Sequence, residues 1–335
     1  MMTQDKTVPD LPRRFLQPEG WRWHVFTNSK GKKLRFGAVS PKGKIPDAVV
    51  VCLPGLSEFG EKYFELAHDM LDHNMAFWVL DWQGQGRSDR SQPNPHKRHV
   101  ASFDDDIDDL QFFLSEYVKH AAVHPDVGRL PLVMLAHSMG ANIGLRYLVK
   151  YPDMFSCAAF TAPLVAIKAT AFLPKSVGIG IAEILRAVMG RSYVFGGKNW
   201  SPDIRGNIKK NIFSSDPFRS TIHNAWSSAD SRLQVGDVTF GWVHAALSSC
   251  AALQRRGVAE SIPVPCLFAL AEKDMLVDNR AARKFIKNVK KAKMVEFPDS
   301  GHEILMEKDD IRGSFLNEFF ALMDENRIRD KLKTF

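Results

Sequence analysis

Ser138 stands in Leu135-Ala136-His137-Ser138-Met139-Gly140-Ala141, between an apolar run over 131–136 and a small-residue helical pattern over 139–151. A serine on such a tight strand-to-helix turn carries its hydroxyl above the end of a sheet, where a substrate can reach it. Ala136 and Gly140, two before and two after the serine, are small enough for the strand and helix backbones to approach. The same small-Ser-small spacing also arises by chance. A serine hydroxyl is a weak nucleophile at neutral pH and needs a base within hydrogen-bond reach. A histidine can serve, with a carboxylate to fix its tautomer and stabilise the imidazolium that forms. The chain supplies Asp274 in Ala271-Glu272-Lys273-Asp274 and His302 in Asp299-Ser300-Gly301-His302-Glu303. Asp274 directly follows an apolar run, which favours it as the acid over Glu272 and Asp278. Of eleven histidines, His302 is the one that follows the last strand at a glycine turn.

Acyl chemistry also needs two backbone N–H groups aimed at the developing oxyanion. Met139 follows the nucleophile and opens its helix. Leu56 follows Pro54-Gly55 at the end of the apolar run 48–53, and Gly55 lets the backbone turn toward a substrate. Pro54-Gly55 can equally be a plain turn. His137, one residue before the serine, is expected to point to the opposite side of an extended chain and to be structural. The pair in His96-Lys97-Arg98-His99 lies in a basic loop without carboxylates, so neither a metal nor any other cofactor is expected.

The elements that position these groups alternate. Residues 21–27 and 33–39 read as antiparallel strands joined at Ser29-Lys30-Gly31. The continuous apolar run at 48–53 reads as a strand buried on both faces of a parallel sheet, 76–82 as the next buried strand, and 131–136, 157–161, 265–271 and 292–297 as further strands. Helical patterns intervene from Glu61, from Ser102 with an acidic first turn, over 139–151, over 279–289 and from Asp309. This implies an α/β chain with a doubly wound, mostly parallel sheet, and ligands bind such sheets at the carboxyl ends of the strands. The alternation stops between about Leu164 and Leu253, where the pattern is helical. The expected organisation is a core of residues 1–163 and 255–335 with a helical lid, 164–254, inserted over the sheet edge.

The chain has 335 residues and a net charge of +7. Between Leu164 and Gln254, ten Lys/Arg face five Asp/Glu, a local excess of +5. Basic residues interleaved with apolar ones fit an anionic membrane surface or an acidic substrate; a solvated face is the commoner outcome of such a count. No nucleic-acid motif or dense basic cluster occurs, so nucleic acid is not an expected partner. Four scattered cysteines without a C-x-x-C suggest buried thiols in a reducing compartment. Residues 1–20 carry Lys6, Arg13 and Arg14 with no apolar stretch, so no signal peptide is expected. No uncharged run approaches transmembrane length. The expected location is cytoplasmic, peripheral to the inner face of a membrane.

In combination, several segments resemble the lysophospholipase and monoacylglycerol-lipase branch of the α/β-hydrolase superfamily. They are Leu53-Pro54-Gly55-Leu56-Ser57-Glu58-Phe59-Gly60-Glu61-Lys62-Tyr63, Asp81-Trp82-Gln83-Gly84-Gln85-Gly86-Arg87-Ser88, Ala136-His137-Ser138-Met139-Gly140, Phe240-Gly241-Trp242, Ala271-Glu272-Lys273-Asp274 and Gly301-His302-Glu303-Ile304-Leu305-Met306-Glu307. The similarity spans about residues 20–325. It implies Ser138, Asp274 and His302 as a triad, Leu56 and Met139 as oxyanion donors, a helical lid and acyl-ester substrates. Departures lie at Pro54, where the family often has His, at Gln83 and Gln85, where Arg and His are frequent, and at Ala136 and Ala141, where Gly is frequent. None removes a catalytic group, but the first loop helps to shape the acyl pocket.

The activity expected is hydrolysis of lipid carboxylic esters, either lysophospholipids or monoacylglycerols, through an acyl-enzyme. Phe59, Phe172, Leu173 and Trp200 are candidates to line the acyl site, with Ile184, Leu185 and Phe195 as further lid residues; each could instead be lid core. A small-ester carboxylesterase or thioesterase, a transacylase and a catalytically silent binding protein on the same scaffold are the rival readings. Haloalkane dehalogenase and epoxide hydrolase chemistry would need an aspartate where Ser138 stands.

Overall fold

A computed structural model describes residues 8–203 and 211–328. In chain order its strands are β1 (Arg22–Thr27), β2 (Lys33–Val39), β3 (Ala48–Leu53), β4 (Met75–Leu80), a short separate hairpin of β5 (Val123–His124) and β6 (Gly128–Arg129), then β7 (Leu132–His137), β8 (Cys157–Thr161), β9 (Cys266–Ala271) and β10 (Ala292–Phe297). Eight of them form one sheet in the order β1-β2-β4-β3-β7-β8-β9-β10. Pairing is antiparallel for β1–β2 and β2–β4 and parallel from β4 to β10. The α-helices of eight residues or more are α1 (Phe64–Asp72), α2 (Phe103–Phe113), α3 (Ser138–Lys150), α4 (Lys175–Met189), α5 (Arg219–Ala229), α6 (Phe240–Leu253), α7 (Asn279–Ile286) and α8 (Asp309–Glu325). This is the doubly wound, mostly parallel architecture expected from the alternating pattern.

Strand burial explains the apolar runs. Every residue of β3, β7, β8 and β9 is buried. Successive side chains of β3 enter opposite layers. Val49, Val51 and Leu53 join α2, α3, α6 and α7 in one core, while Val50 and Cys52 join α1 and α8 in the other. All four cysteines are free and buried. Strand β4 stops at Leu80, so Asp81 and Trp82 belong to the turn rather than the strand.

Helix starts follow local chemistry. The Ser102 hydroxyl accepts the Asp104 amide ahead of the acidic first turn of α2. The segment between β8 and β9 is helical, as its pattern requires, but its helices differ in how they pack. Trp242, Ala245, Ala246 and Cys250 of α6 belong to the main core beside α3, and Ile222 and Trp226 of α5 belong to the opposite core. Helix α4 lies against α6. Of its residues only Gly178 and Ala182 are buried.

Candidate active site

The strand β7 enters the site fully buried, and the chain reverses into α3 at Ser138, whose φ is +50°. A left-handed backbone at a residue other than glycine is held only by its surroundings. Here the Ser138 carbonyl accepts the Leu164 amide at 3.2 Å, and the next turn of helix presses on the neighbouring strand end. A Cβ on Gly140 would stand 2.2 Å from the Leu53 carbonyl oxygen and 2.5 Å from that of Pro54. Glycine two residues after the serine is therefore a steric requirement of this turn.

Asp274 and His302 reach Ser138 from the ends of β9 and β10. The His302 Nε2 lies 2.9 Å from Ser138 Oγ, and its Nδ1 lies 2.6 Å from Asp274 Oδ2. With the proton on Nδ1 donated to Asp274, Nε2 is left to accept the serine hydroxyl. The other Asp274 oxygen accepts the Leu276 amide at 2.7 Å and the Val277 amide at 3.1 Å. Burial works against the Asp274 charge, but the His302 imidazole and those two amides outweigh it and hold the carboxyl below its ordinary value. Glu272 instead pairs with Arg283, and Asp278 caps α7 through the Arg280 amide. Of the three candidate acids, Asp274 is the one within bonding distance of His302.

The His302 loop is clamped by the inserted segment. Ile212 and Phe213 carbonyls accept the His302 and Glu303 amides at 3.3 and 2.7 Å. The wholly buried Glu307 carboxylate accepts the Gly301 amide at 2.7 Å and the Ser215 hydroxyl at 2.6 Å. Across the site, Lys62 is buried between Glu58 Oε1 at 2.6 Å and Glu303 Oε2 at 2.7 Å. Burial raises the Glu58 carboxyl, but its charged and hydrogen-bonding neighbours, Lys62 foremost with His137, together hold its titration below the ordinary range. Nothing in the sequence pattern singles out Lys62, Glu303 or Glu307, because charged residues near loops ordinarily face solvent.

A cavity of about 300 Å³ opens over the serine. Ser138, His302, Leu56 and Met139 line it, together with Leu164, Ile167, Trp200, Phe213, Val238 and Trp242. The Met139 amide, in the first turn of α3, has no carbonyl to bond within the helix. Trp200 is thus brought to the cavity. Phe59, Phe172 and Leu173 are not. Phe59 is wholly buried behind the wall, its ring 5.0 Å from that of His223, which does line the cavity. Phe172 is 80% exposed on the turn before α4. Leu173 borders a separate cavity of about 150 Å³ beneath α4. Ile184 and Phe195 are exposed as well. Ile184 is turned outward by α4, and Phe172 and Phe195 by the turns flanking it, whereas the loops at 211–213 and 235–238 supply lining that has no helical or strand period to betray it.

His137 also differs from expectation. The bend at Ser138 breaks the alternation of an extended strand, so His137 lines the cavity, its ring centroid 4.9 Å from that of His302. Its Nδ1 lies 3.0 Å from the Thr161 hydroxyl. Burial pushes its imidazole down to about 4, so it is neutral at neutral pH. His99 Nδ1 bonds the Thr239 hydroxyl. No group of three or more metal-ligating side chains occurs among the described residues.

The chain is similar to known proteins over most of its length. The family described as serine aminopeptidase, S33 matches residues 44–309. Lysophospholipase L2 of Escherichia coli K12 is 30% identical over 280 residues, covering 81% of this chain and 78% of that protein. The monoacylglycerol lipase of Mycolicibacterium smegmatis is 24% identical, covering 85% of this chain and 91% of that protein. Among solved structures, a soluble variant of monoglyceride lipase from Saccharomyces cerevisiae superposes with a TM-score of 0.71 at 18% identity, covering 95% of this chain and all of that one.

Proposed function

The chain belongs to the α/β-hydrolase family described as serine aminopeptidase, S33, and we propose that it is a serine hydrolase of lipid carboxylic esters, acting on lysophospholipids or monoacylglycerols. The observation that carries this reading is the continuous Ser138–His302–Asp274 linkage opening into an apolar cavity. His302 removes the Ser138 proton as Oγ attacks the ester carbonyl. The Leu56 and Met139 amides receive the developing oxyanion. His302, now an imidazolium stabilised by Asp274, protonates the leaving alcohol, and water repeats the sequence to release the fatty acid.

The family's description names a peptidase, whereas the curated relatives above are lysophospholipase and monoacylglycerol lipase. An aminopeptidase must hold a substrate ammonium against a carboxylate. Of the carboxylates that line this cavity, Glu58 and Glu303 share Lys62, and one Asp237 oxygen accepts the Lys198 amide. Aromatic and aliphatic lining suits an acyl chain. The nearest alternative is a carboxylesterase or thioesterase of small acyl groups, and chain-length preference separates the two.

The inserted helices act as a lid, and α4 is its membrane-facing part. Val177, Ile181, Ile184 and Val188 repeat at helical spacing and are exposed by 46, 47, 67 and 77%, with Phe172 and Phe195 exposed nearby. Lys175 and Arg191 accompany them, while Arg186 is paired with Glu183 on the same helix. Arg205, Lys209 and Lys210, which contribute to the basic excess of this segment, lie outside the described residues. An apolar stripe flanked by cations favours an anionic lipid surface. No helix among the described residues is long and apolar enough to cross a membrane.

The deciding experiment compares the wild type with Ser138→Ala on lysophosphatidylcholine, lysophosphatidylglycerol, a monoacylglycerol, and short and long p-nitrophenyl esters. Long-chain lipid turnover that drops at least ~10⁴-fold in the variant, at unchanged Tm and with fluorophosphonate labelling abolished, is the expected result. Turnover restricted to short esters would replace the lipid assignment with a general esterase. Absence of both turnover and labelling in the wild type would leave a silent binding protein.

A further inference from the structure

We propose that Gln85 is the positioning residue of the oxyanion loop, locking residues 54–58 so that the Leu56 N–H faces the reacting carbonyl. The proposal rests on the ester-hydrolase reading and adds to it a group outside the triad. Gln85 sits in the Gly84-Gln85-Gly86 turn after β4, with its side chain wholly buried. Its Nε2 donates to the Gly55 carbonyl at 2.7 Å and to the Glu58 carbonyl at 2.8 Å. Its Oε1 accepts the Ser57 amide at 3.2 Å and the Arg98 Nε–H at 3.1 Å. Every hydrogen-bonding site of the primary amide is used.

The orientation of that amide follows from chemistry. The buried Arg98 guanidinium can only donate, so the atom facing it is oxygen. The other end, facing two carbonyl oxygens, must then be the NH₂ group. Two donors on one end and an acceptor on the other is a combination that only a primary amide offers, and Gln supplies the reach.

The loop needs such a hold. Ser57 has φ +61°, a left-handed conformation that a residue with a side chain adopts at a cost. Gln85 bonds the loop before, at and after that strained residue. The neighbouring Trp82 indole N–H holds the Pro54 carbonyl at 2.8 Å. Within the loop, the Gly55 amide is taken by the Glu58 carboxylate at 2.5 Å and the Glu58 amide by the Gly55 carbonyl at 3.4 Å. The amides of Gly55, Ser57 and Glu58 are therefore all engaged. Among the described residues, that of Leu56 has no protein acceptor, and Leu56 lines the cavity beside Ser138. Freed of Gln85, the chain at Ser57 relaxes toward negative φ and turns the Leu56 N–H away.

The test uses Gln85→Glu and the near-isosteric Gln85→Met. The first keeps the bonds accepted from Ser57 and Arg98 but places a carboxylate oxygen against two carbonyls; the second removes all four bonds. Rates are expressed per Ser138 titrated to completion with a fluorophosphonate, so a partly unfolded preparation still reports on its folded fraction. A kcat lower by about 10–100-fold is expected, short of the roughly 10²–10³-fold cost of removing an oxyanion donor outright, with KM within about 3-fold. Affinity for a trifluoromethyl ketone that mimics the tetrahedral adduct should fall in step with kcat/KM. Affinity for a non-hydrolysable ether analogue of the substrate should hold. Wild-type kcat per titrated serine in either variant, or a loss confined to KM or Tm, overturns the positioning role while leaving the hydrolase reading intact. A wild type that neither turns over esters nor reacts with the fluorophosphonate overturns both.

Discussion

His137 carries no bond to Ser138, yet it sets the electrostatic conditions beside the base. Its ring is 4.9 Å from that of His302 and, held neutral, adds no second positive charge when His302 becomes an imidazolium. Burial lowers its titration to about 4, whereas the unfolded chain protonates near the ordinary histidine value of about 6.5. Below that value the unfolded state takes up a proton that the native state refuses. The contribution to stability is therefore fully present above about pH 6.5 and lost as the pH falls toward 4, by up to about 3 kcal/mol. Burial raises Asp106 and Asp109 to about 7 and 6, which works in the opposite sense over the same range, so the test is the difference: between about pH 7 and 4.5 the urea midpoint should drop more in the wild type than in His137→Gln, and parallel curves would refute the assignment. The residue also marks where sequence reasoning stops. The triad residues are visible because each falls in the turn or loop after a strand, while the side of the chain on which His137 lies depends on a φ of +50° at Ser138 that no residue type announces.

At the scale of elements, the site exists because β3 and α3 come into contact. Gly140 sits on the Leu53 and Pro54 carbonyls, and Pro54 leads directly to the oxyanion loop. Gly140→Ala forces backbone against backbone, so a loss of about 1–3 kcal/mol or more is expected. The displacement also separates Leu56 from Met139, so kcat/KM should fall further than the Tm would suggest. Gly180→Ala in α4 is the contrast: nothing lies within 4 Å of the added methyl, and relief of helix glycine entropy should stabilise by about 0.5–1 kcal/mol. Calorimetry and ester kinetics on both variants check the pair; equal effects would sink the argument from close approach.

For the whole molecule, the question is how a buried serine meets an insoluble substrate. The exposed stripe of α4 lies on the inserted segment that also supplies Trp200, Phe213 and Trp242 to the cavity. Burying one Ile or Val side chain in lipid contributes about 1.5–3 kcal/mol. Ile184→Asp and Val188→Asp should each weaken binding to anionic vesicles by at least about 10-fold, with parallel loss of turnover on vesicle-borne lipid. Hydrolysis of a soluble short-chain ester should be unchanged. Binding that ignores lipid charge, salt and both substitutions would leave α4 with no membrane role.

The sequence by itself determined the mostly parallel sheet, the succession of its strands along the chain, and the nucleophile turn. It also determined which loops carry Asp274 and His302. Those features are written in local patterns: apolar runs set by two-sided burial, small residues set by close backbone contact, and chemistry placed at strand ends. The tertiary structure alone decided the rest. Lys62, Gln85, Glu303 and Glu307 look like surface residues in the chain and are buried only because loops distant in sequence converge on them. The cavity wall comes largely from irregular segments without period, while α4 and the turns flanking it leave outward Phe172, Ile184 and Phe195, residues that composition alone would assign to an acyl groove. Polar groups find partners and loops find shape through non-local contact, so neither can be read before the chain is folded.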